Sequence, residues 1–245
     1  MIKDQNISFL EWHLDAGADA LLEEKAQNSL KNSSNAQVKV NRNQENNDFV
    51  KGEINYPNIK EYNNLEELKI AIQSFDRCNI KKTAKNLVFG SGKVGSKLML
   101  IGEAPGEEED ISGEPFVGAA GKLLSKMLNS IGINRSETYI TNIIPWRPPG
   151  NRKPSIDEIE AFKPFVYRHI ELVYPKILVL VGGSAASAIL QNDLGITRLR
   201  GKWFKFQEID TLPIFHPAYL LRQPSQKKQA WEDLLKIKDK IEKLQ

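Results

Sequence analysis

From Lys97 onward the chain alternates short aliphatic runs with amphipathic stretches of helical period, and this alternation restricts the fold more than any other feature. Strands are expected at 97–101, 138–144, 176–181, 201–206 and 211–215. Helices are expected at 120–131, 156–174, 184–190 and 224–244. The run at 176–181 is almost unbroken aliphatic, as in a strand covered on both faces. Ser155, with Glu158 three residues on, reads as a helix-starting capping box. Together these elements imply an α/β fold: a three-layer αβα sandwich with a central, mostly parallel four-stranded sheet. Ligands of such folds bind beyond the carboxyl ends of the strands, so motifs at those positions carry the functional argument.

The rest of the 245 residues divides by composition. Residues 1–26 read as an amphipathic helix, with Ile7, Leu10, Leu14, Ala18, Leu21 and Leu22 at helical spacing and Trp12 alongside. It is either a docking element for the main domain or a partner-binding tag. Residues 27–60 read as a flexible Asn/Gln-rich linker: ten of the 22 residues from Gln27 to Asp48 are Asn or Gln, too polar to offset chain entropy by burial. A short helix is expected at 65–75, within a main domain spanning 61–245.

Composition also excludes classes of function. Thirty-four basic and 31 acidic side chains leave a net charge of +3, so nucleic-acid affinity requires a local patch. No apolar run is long enough for a transmembrane helix, and the N-terminus lacks a secretory pattern. One cysteine, Cys78, and three histidines make a poor metal toolkit, so no metal site is expected. The expected location is a reducing cytoplasm.

Three motifs follow expected strands. The first is Gly102-Glu103-Ala104-Pro105-Gly106, continuing through Glu107-Glu108-Glu109-Asp110 to Pro115-Phe116-Val117-Gly118. Its small residues let backbone approach a ligand, Phe116 offers a flat face for stacking, and a carboxylate among the cluster can polarise water. Glu107 and Glu108 read better as a solvated acidic run. The second is Thr141-Asn142, followed by Arg147-Pro148-Pro149-Gly150-Asn151-Arg152. An asparagine at a strand end offers the donor and acceptor needed to read an amide-like base edge, although alone it is more often a turn former. The third is His216-Pro217-Ala218-Tyr219-Leu220-Leu221-Arg222, where a histidine can donate to a developing anion. His13 and His169 read as structural. The glycines at 90–95 lack phosphate-loop spacing, and Gly182-Gly183-Ser184 lacks that of a dinucleotide site.

In this order the motifs resemble the uracil-DNA glycosylase superfamily, and most closely its family 4 branch. GEAPGEEED, PFVGAAGKLL, TNIIPWRPPGNRKP, GITRLRGKWF and HPAYLLRQP carry the resemblance, over roughly residues 75–235. It implies a monofunctional glycosylase of base excision repair, acting on uracil-containing DNA, single- and double-stranded; hydrolysis itself requires no cofactor, and the protein is expected to be a monomer. A base is then flipped from the duplex into a pocket. By resemblance Phe116 stacks on the uracil, Asn142 reads its N3/O4 edge, and His216 stabilises charge at O2. Glu103 and Ala104 line the pocket, and Glu109 is the candidate to orient or activate water, with Glu103 the other carboxylate in the catalytic set. Ala104 stands where some related branches carry a catalytic aspartate. The segment 217–224, with Leu220, Leu221 and Arg222, resembles a wedge into the minor groove. Asn151 and Arg152 are further DNA-contact candidates, and Arg147, Arg198, Arg200, Lys202, Lys227 and Lys228 are candidates for phosphates.

Two departures from the family bear on function. Covalent uracil-binding relatives carry a nucleophilic histidine before the last strands, and residues 196–202 contain none. A non-catalytic or covalent binder on the same fold, and a polymerase-accessory protein, remain the alternatives. Family 4 proteins also resemble one another in a four-cysteine iron–sulfur cluster, whose positions align here with Phe75, Cys78, Trp146 and Phe162. One thiolate cannot hold a cluster that needs about four ligands, so the cluster is expected to be absent and replaced by apolar packing.

Overall fold

A computed structural model describes residues 58–244. The expected N-terminal helix, and all but the last residues of the expected linker, lie outside the described residues. Ile59–Glu61 is a 3-10 turn, so the C-terminal end of the expected linker is already structured.

The strands are β1 (Ser91–Gly92), β2 (Leu98–Gly102), β3 (Thr138–Asn142), β4 (Ile177–Val181), β5 (Phe204–Phe206) and β6 (Ile209–Ile214). The helices are α1 (Leu65–Ser74), α2 (Glu107–Ser112), α3 (Ala119–Ser130), α4 (Ile156–Val173), α5 (Gly183–Leu190), α6 (Ile196–Leu199), α7 (Pro217–Arg222) and α8 (Lys227–Glu242). The sheet order is β1-β3-β2-β4-β6-β5. Strands β3, β2, β4 and β6 are parallel, and the short β1 and β5 close the edges antiparallel. The expected four-stranded sheet is therefore the parallel centre of a six-stranded one. The two-residue β1 has no apolar alternation to betray it; its pairing rests on β3, with Ser91 opposite Ile140 and Gly92 opposite Tyr139.

Alternation along the central strands fills two cores. Met99 and Ile101 of β2, with Leu178 and Leu180 of β4, meet Leu68 and Ile72 of α1 and Phe162 and Phe165 of α4. Their neighbours Leu98, Leu100, Ile177 and Val179 face the other way, toward Leu124 and Met127 of α3 and Trp231 and Leu234 of α8. This is the three-layer α/β arrangement. The Ser155 cap forms as expected: its hydroxyl accepts the Glu158 N–H at 3.1 Å, while the Glu158 carboxylate accepts the Ser155 N–H at 2.7 Å. None of the helices among the described residues is long and apolar enough to cross a membrane.

Candidate functional site

The carboxyl ends of β2, β3, β4 and β6 converge on a cleft of about 620 Å³. Each strand delivers a motif to it: Glu103, Ala104 and Glu109 after β2, Asn142 at the end of β3, Gly182 after β4, and His216 after β6. Phe116, Asn151, Arg152 and Arg222 line it as well. All of these but Gly182 are among the residues expected at the site, and they come together; Leu220 and Leu221 do not line the cleft.

Gly102 shows why the strand end must be bare. A Cβ there would lie 2.4 Å from Asn142 Oδ1 and 2.6 Å from the Phe116 ring, so only glycine lets ring and amide share the cleft floor. The Asn142 side chain, 4% exposed, makes no hydrogen bond among the described residues. A buried amide with both its donor and its acceptor uncommitted is suited to a base edge that supplies both partners. The Phe116 ring lies beside that of His216, centroids 5.7 Å apart.

His216 caps α7: its Nδ1 accepts the Ala218 N–H at 3.2 Å. Burial first, and then the positive charge of Arg222, push its pKa from 6.5 down to about 4. The ring is therefore neutral at physiological pH, with its proton on Nε2.

The two candidate carboxylates differ in what they have left to offer. Glu109 Oε1 accepts the N–H groups of Val117 and Gly118 at 3.0 and 2.9 Å, and its Oε2 accepts that of Gly106 at 3.1 Å. It ties the Gly106 turn to the Phe116 segment. Glu103 accepts one short hydrogen bond, from the Ser184 hydroxyl in the first turn of α5, where the helix N-terminus favours a negative charge. The Gly182-Gly183-Ser184 segment, which has no nucleotide-binding spacing, thus contributes two lining glycines and the donor to Glu103. No local pattern announces this contact, because it spans 81 residues of sequence.

Several expected DNA contacts need correction. The segment 217–224 begins as helix α7, with Pro217 in its first turn. Leu220 is 0% exposed and packs in the core with Leu123 and Ile214, so it cannot wedge into DNA; Leu221 is 44% exposed. Arg200 is committed to Asp233 through two hydrogen bonds of 2.8 and 2.6 Å, and Lys227 is only 2% exposed, so neither is placed to reach phosphate. Arg152 pairs with Glu158 at 2.8 and 2.6 Å while still lining the cleft. Against the upward push of burial, these bonds and those from Ser155 hold the Glu158 carboxyl below its usual value. Asn151 Oδ1 accepts from Arg147 Nε at 2.7 Å. Lys153 lines the cleft too, a contact the motif reading passed over.

Phe75, Cys78, Trp146 and Phe162 belong to one buried cluster. The Phe75 and Phe162 rings meet edge to face with centroids 5.6 Å apart. Burial pushes the Cys78 thiol up to about 11, the reverse of what a thiolate ligand needs. One protonated thiol among aromatic rings does not fit an iron–sulfur cluster.

A sheet parallel at its centre, with a cleft at its strand ends that gathers an aromatic ring, a buried amide and a neutral imidazole, defines an α/β protein whose polar site lies where ligands of such folds bind. The profile of the Uracil DNA glycosylase superfamily matches residues 89–235, and the chain belongs to that family. It is similar to the type-4 uracil-DNA glycosylase of Sulfurisphaera tokodaii, 41% identical over 71% of this chain and 84% of the relative. The enzyme of the same name from Archaeoglobus fulgidus is 39% identical over 71% of this chain and 91% of its own length. That of Saccharolobus solfataricus is 38% identical over 73% and 87%.

Proposed function

We propose that this protein is a monofunctional uracil-DNA glycosylase that hydrolyses the N-glycosidic bond of uracil in DNA and leaves an abasic site. The observation that carries the reading is the meeting of Phe116, Asn142 and His216 in one cleft at the strand ends. A flipped uracil stacks on Phe116, and the Asn142 amide pairs with its N3–H and O4. As the bond breaks, its electron pair passes to uracil N1 and spreads onto O2, where the Nε2–H of His216 donates. A fixed neutral donor aimed at developing negative charge lowers the barrier without a proton transfer. Water adds to the cationic sugar carbon, and the proton it loses passes through solvent to the uracil anion, so the products are the abasic sugar and neutral uracil.

Glu103 is the better candidate to hold that water. Its carboxylate has one donor, whereas that of Glu109 already accepts three backbone N–H groups. Glu109 is then a brace for the loop that bears Phe116. Ala104 contributes no acid or base, so the rate leans on stabilising the departing uracil.

The same reading takes in single- and double-stranded uracil DNA, a monomer, a cytoplasmic location and hydrolysis without an iron–sulfur cluster. It also takes residues 61–245 as the glycosylase domain. Incubation with uracil-containing oligonucleotides followed by alkali is expected to give strand scission, on single strands and on U:G duplexes. A folded protein that yields no scission, or a heat-stable protein–DNA adduct instead, would overturn it. Asn142→Asp is expected to narrow the preference for uracil over cytosine in the same assay, because a carboxylate lacks the donor to O4.

A further inference from the structure

Phe116 adopts a backbone conformation that bulky side chains take only when their surroundings enforce it: its φ is 54°. Beside the motif residues Glu109, Gly102 and Gly121, the groups that hold its carbonyl come from outside every motif of the cleft. Arg135, in the 3-10 turn Arg135–Glu137 ahead of β3, donates from Nη1 to the Phe116 carbonyl at 2.8 Å and from Nη2 to the Pro115 carbonyl at 2.5 Å. One planar guanidinium therefore holds two consecutive carbonyls, a geometry a lysine cannot reproduce. Nη1 also lies 3.4 Å from Ser125 Oγ, which donates to the Gly121 carbonyl at 3.1 Å. Gly121 completes the seat, since a Cβ there would lie 1.9 Å from the Phe116 oxygen. The ring itself is confined from the other side by bare Gly102.

We propose that Arg135 is a positioning residue for uracil recognition: its forked grip on the Pro115 and Phe116 carbonyls sets the height and tilt of the ring on which the base stacks. The proposal rests on the stacking role given to Phe116 above. Arg135 is not among the residues lining the cleft, so its influence on excision runs through Phe116. The guanidinium is half-buried, so it acts from behind the loop and not as a phosphate ligand.

A double-mutant cycle tests this. Phe116→Ala, Arg135→Ala, the double variant and Arg135→Lys are compared for kcat/KM on a single-stranded uracil oligonucleotide, for inhibition by free uracil, and for Tm. Losing the ring is expected to reduce kcat/KM by about ten- to a hundredfold, the range for one base–aromatic stack. Arg135→Ala should reproduce most of that loss and weaken uracil inhibition in parallel, with Arg135→Lys in between. The double variant should be no worse than Phe116→Ala within about twofold, because both changes remove the same platform. Losses that multiply, or Arg135→Ala with unchanged uracil inhibition, overturn the proposal. If Arg135→Ala does not fold, the cycle is closed with Arg135→Lys under the same criterion. An inactive wild-type protein sinks the glycosylase reading, whereas an active one with multiplying losses sinks only the role of Arg135.

Discussion

Nδ1 of His216 accepts the backbone N–H of Ala218 at 3.2 Å, so the neutral imidazole carries its proton on Nε2. Burial and then Arg222 lower its pKa to about 4, so the neutral form, with Nδ1 accepting from Ala218, persists well into acid. If neutral His216 is the working form, kcat/KM should stay level as pH falls through 6.5. It should decline only as pH nears about 4, where Nδ1 protonates and the ring loses the Ala218 hydrogen bond that orients it. His216→Ala should cost about one to three decades in rate, the scale of losing one charge-stabilising donor. A pH–rate profile bending near 6.5, or full activity in the variant, would remove His216 from this role.

His169 is a second buried imidazole, with a different consequence. Its Nε2 lies 2.9 Å from the Tyr139 hydroxyl, its ring stacks on Phe89, and burial lowers its pKa to about 3. Because the folded-state value lies below the unfolded one, its stabilisation is fully present above pH 6.5 and is lost as pH falls toward 3. His216 adds the same trend over the window from 6.5 to 4. Each histidine should contribute a slope of about 1.4 kcal/mol per pH unit inside its window. His169→Gln, measured by denaturant unfolding between pH 6.5 and 4, should remove about 1.4 kcal/mol per pH unit, half of the slope that the two histidines give together. An unchanged slope would show that His169 is not buried neutral.

The packing around Trp146 carries a test of the missing cluster. Trp146→Ala or Phe162→Ala should cost about 3–5 kcal/mol, the usual range for emptying an aromatic core site. Trp146 Nε1 is buried without an acceptor among the described residues, so Trp146→Phe gives up no hydrogen bond. It should cost less than either alanine substitution by denaturant unfolding, because it empties a smaller volume. Aerobically purified protein should be colourless and insensitive to chelators. Stoichiometric iron with visible absorbance, or neutral effects of both alanine substitutions, would refute apolar replacement.

What could be read in the sequence was the part written in local pattern. The aliphatic runs of β2 and β4 and the Ser155 cap announce themselves, because burial on both faces and helix capping each demand specific residues nearby. The acidic run at 107–112 hid a helix, α2, because its one buried residue, Asp110, is satisfied by the distant N–H groups of Lys85 and Asn86. Leu220 and Leu221 look alike in sequence, and only the phase of α7 buries one and exposes the other. Phe116, Asn142 and His216 follow strands and were visible. Arg135 and Ser184 were not, because each acts on the cleft only through residues distant along the chain.

The same distinction between paired and uncommitted charge decides which basic residues meet DNA. Lys153 and Arg222 line the cleft, and neither has a carboxylate partner among the described residues. Arg200 looks equally suitable in sequence, yet it is bound to Asp233, which is 0% exposed. Lys153→Gln and Arg222→Gln should each flatten the dependence of log K on log salt by about 0.9 for duplex and about 0.7 for single strands, as expected for one lost phosphate contact. Binding to an uncleaved oligonucleotide, titrated across salt concentrations, measures this. Arg200→Gln should leave the salt slope alone and destabilise the fold by about 3–5 kcal/mol, because it strands a buried carboxylate without its partner. A reduced slope for Arg200→Gln at unchanged stability would reverse the assignment and move the DNA track from the Lys153 and Arg222 rim toward α8.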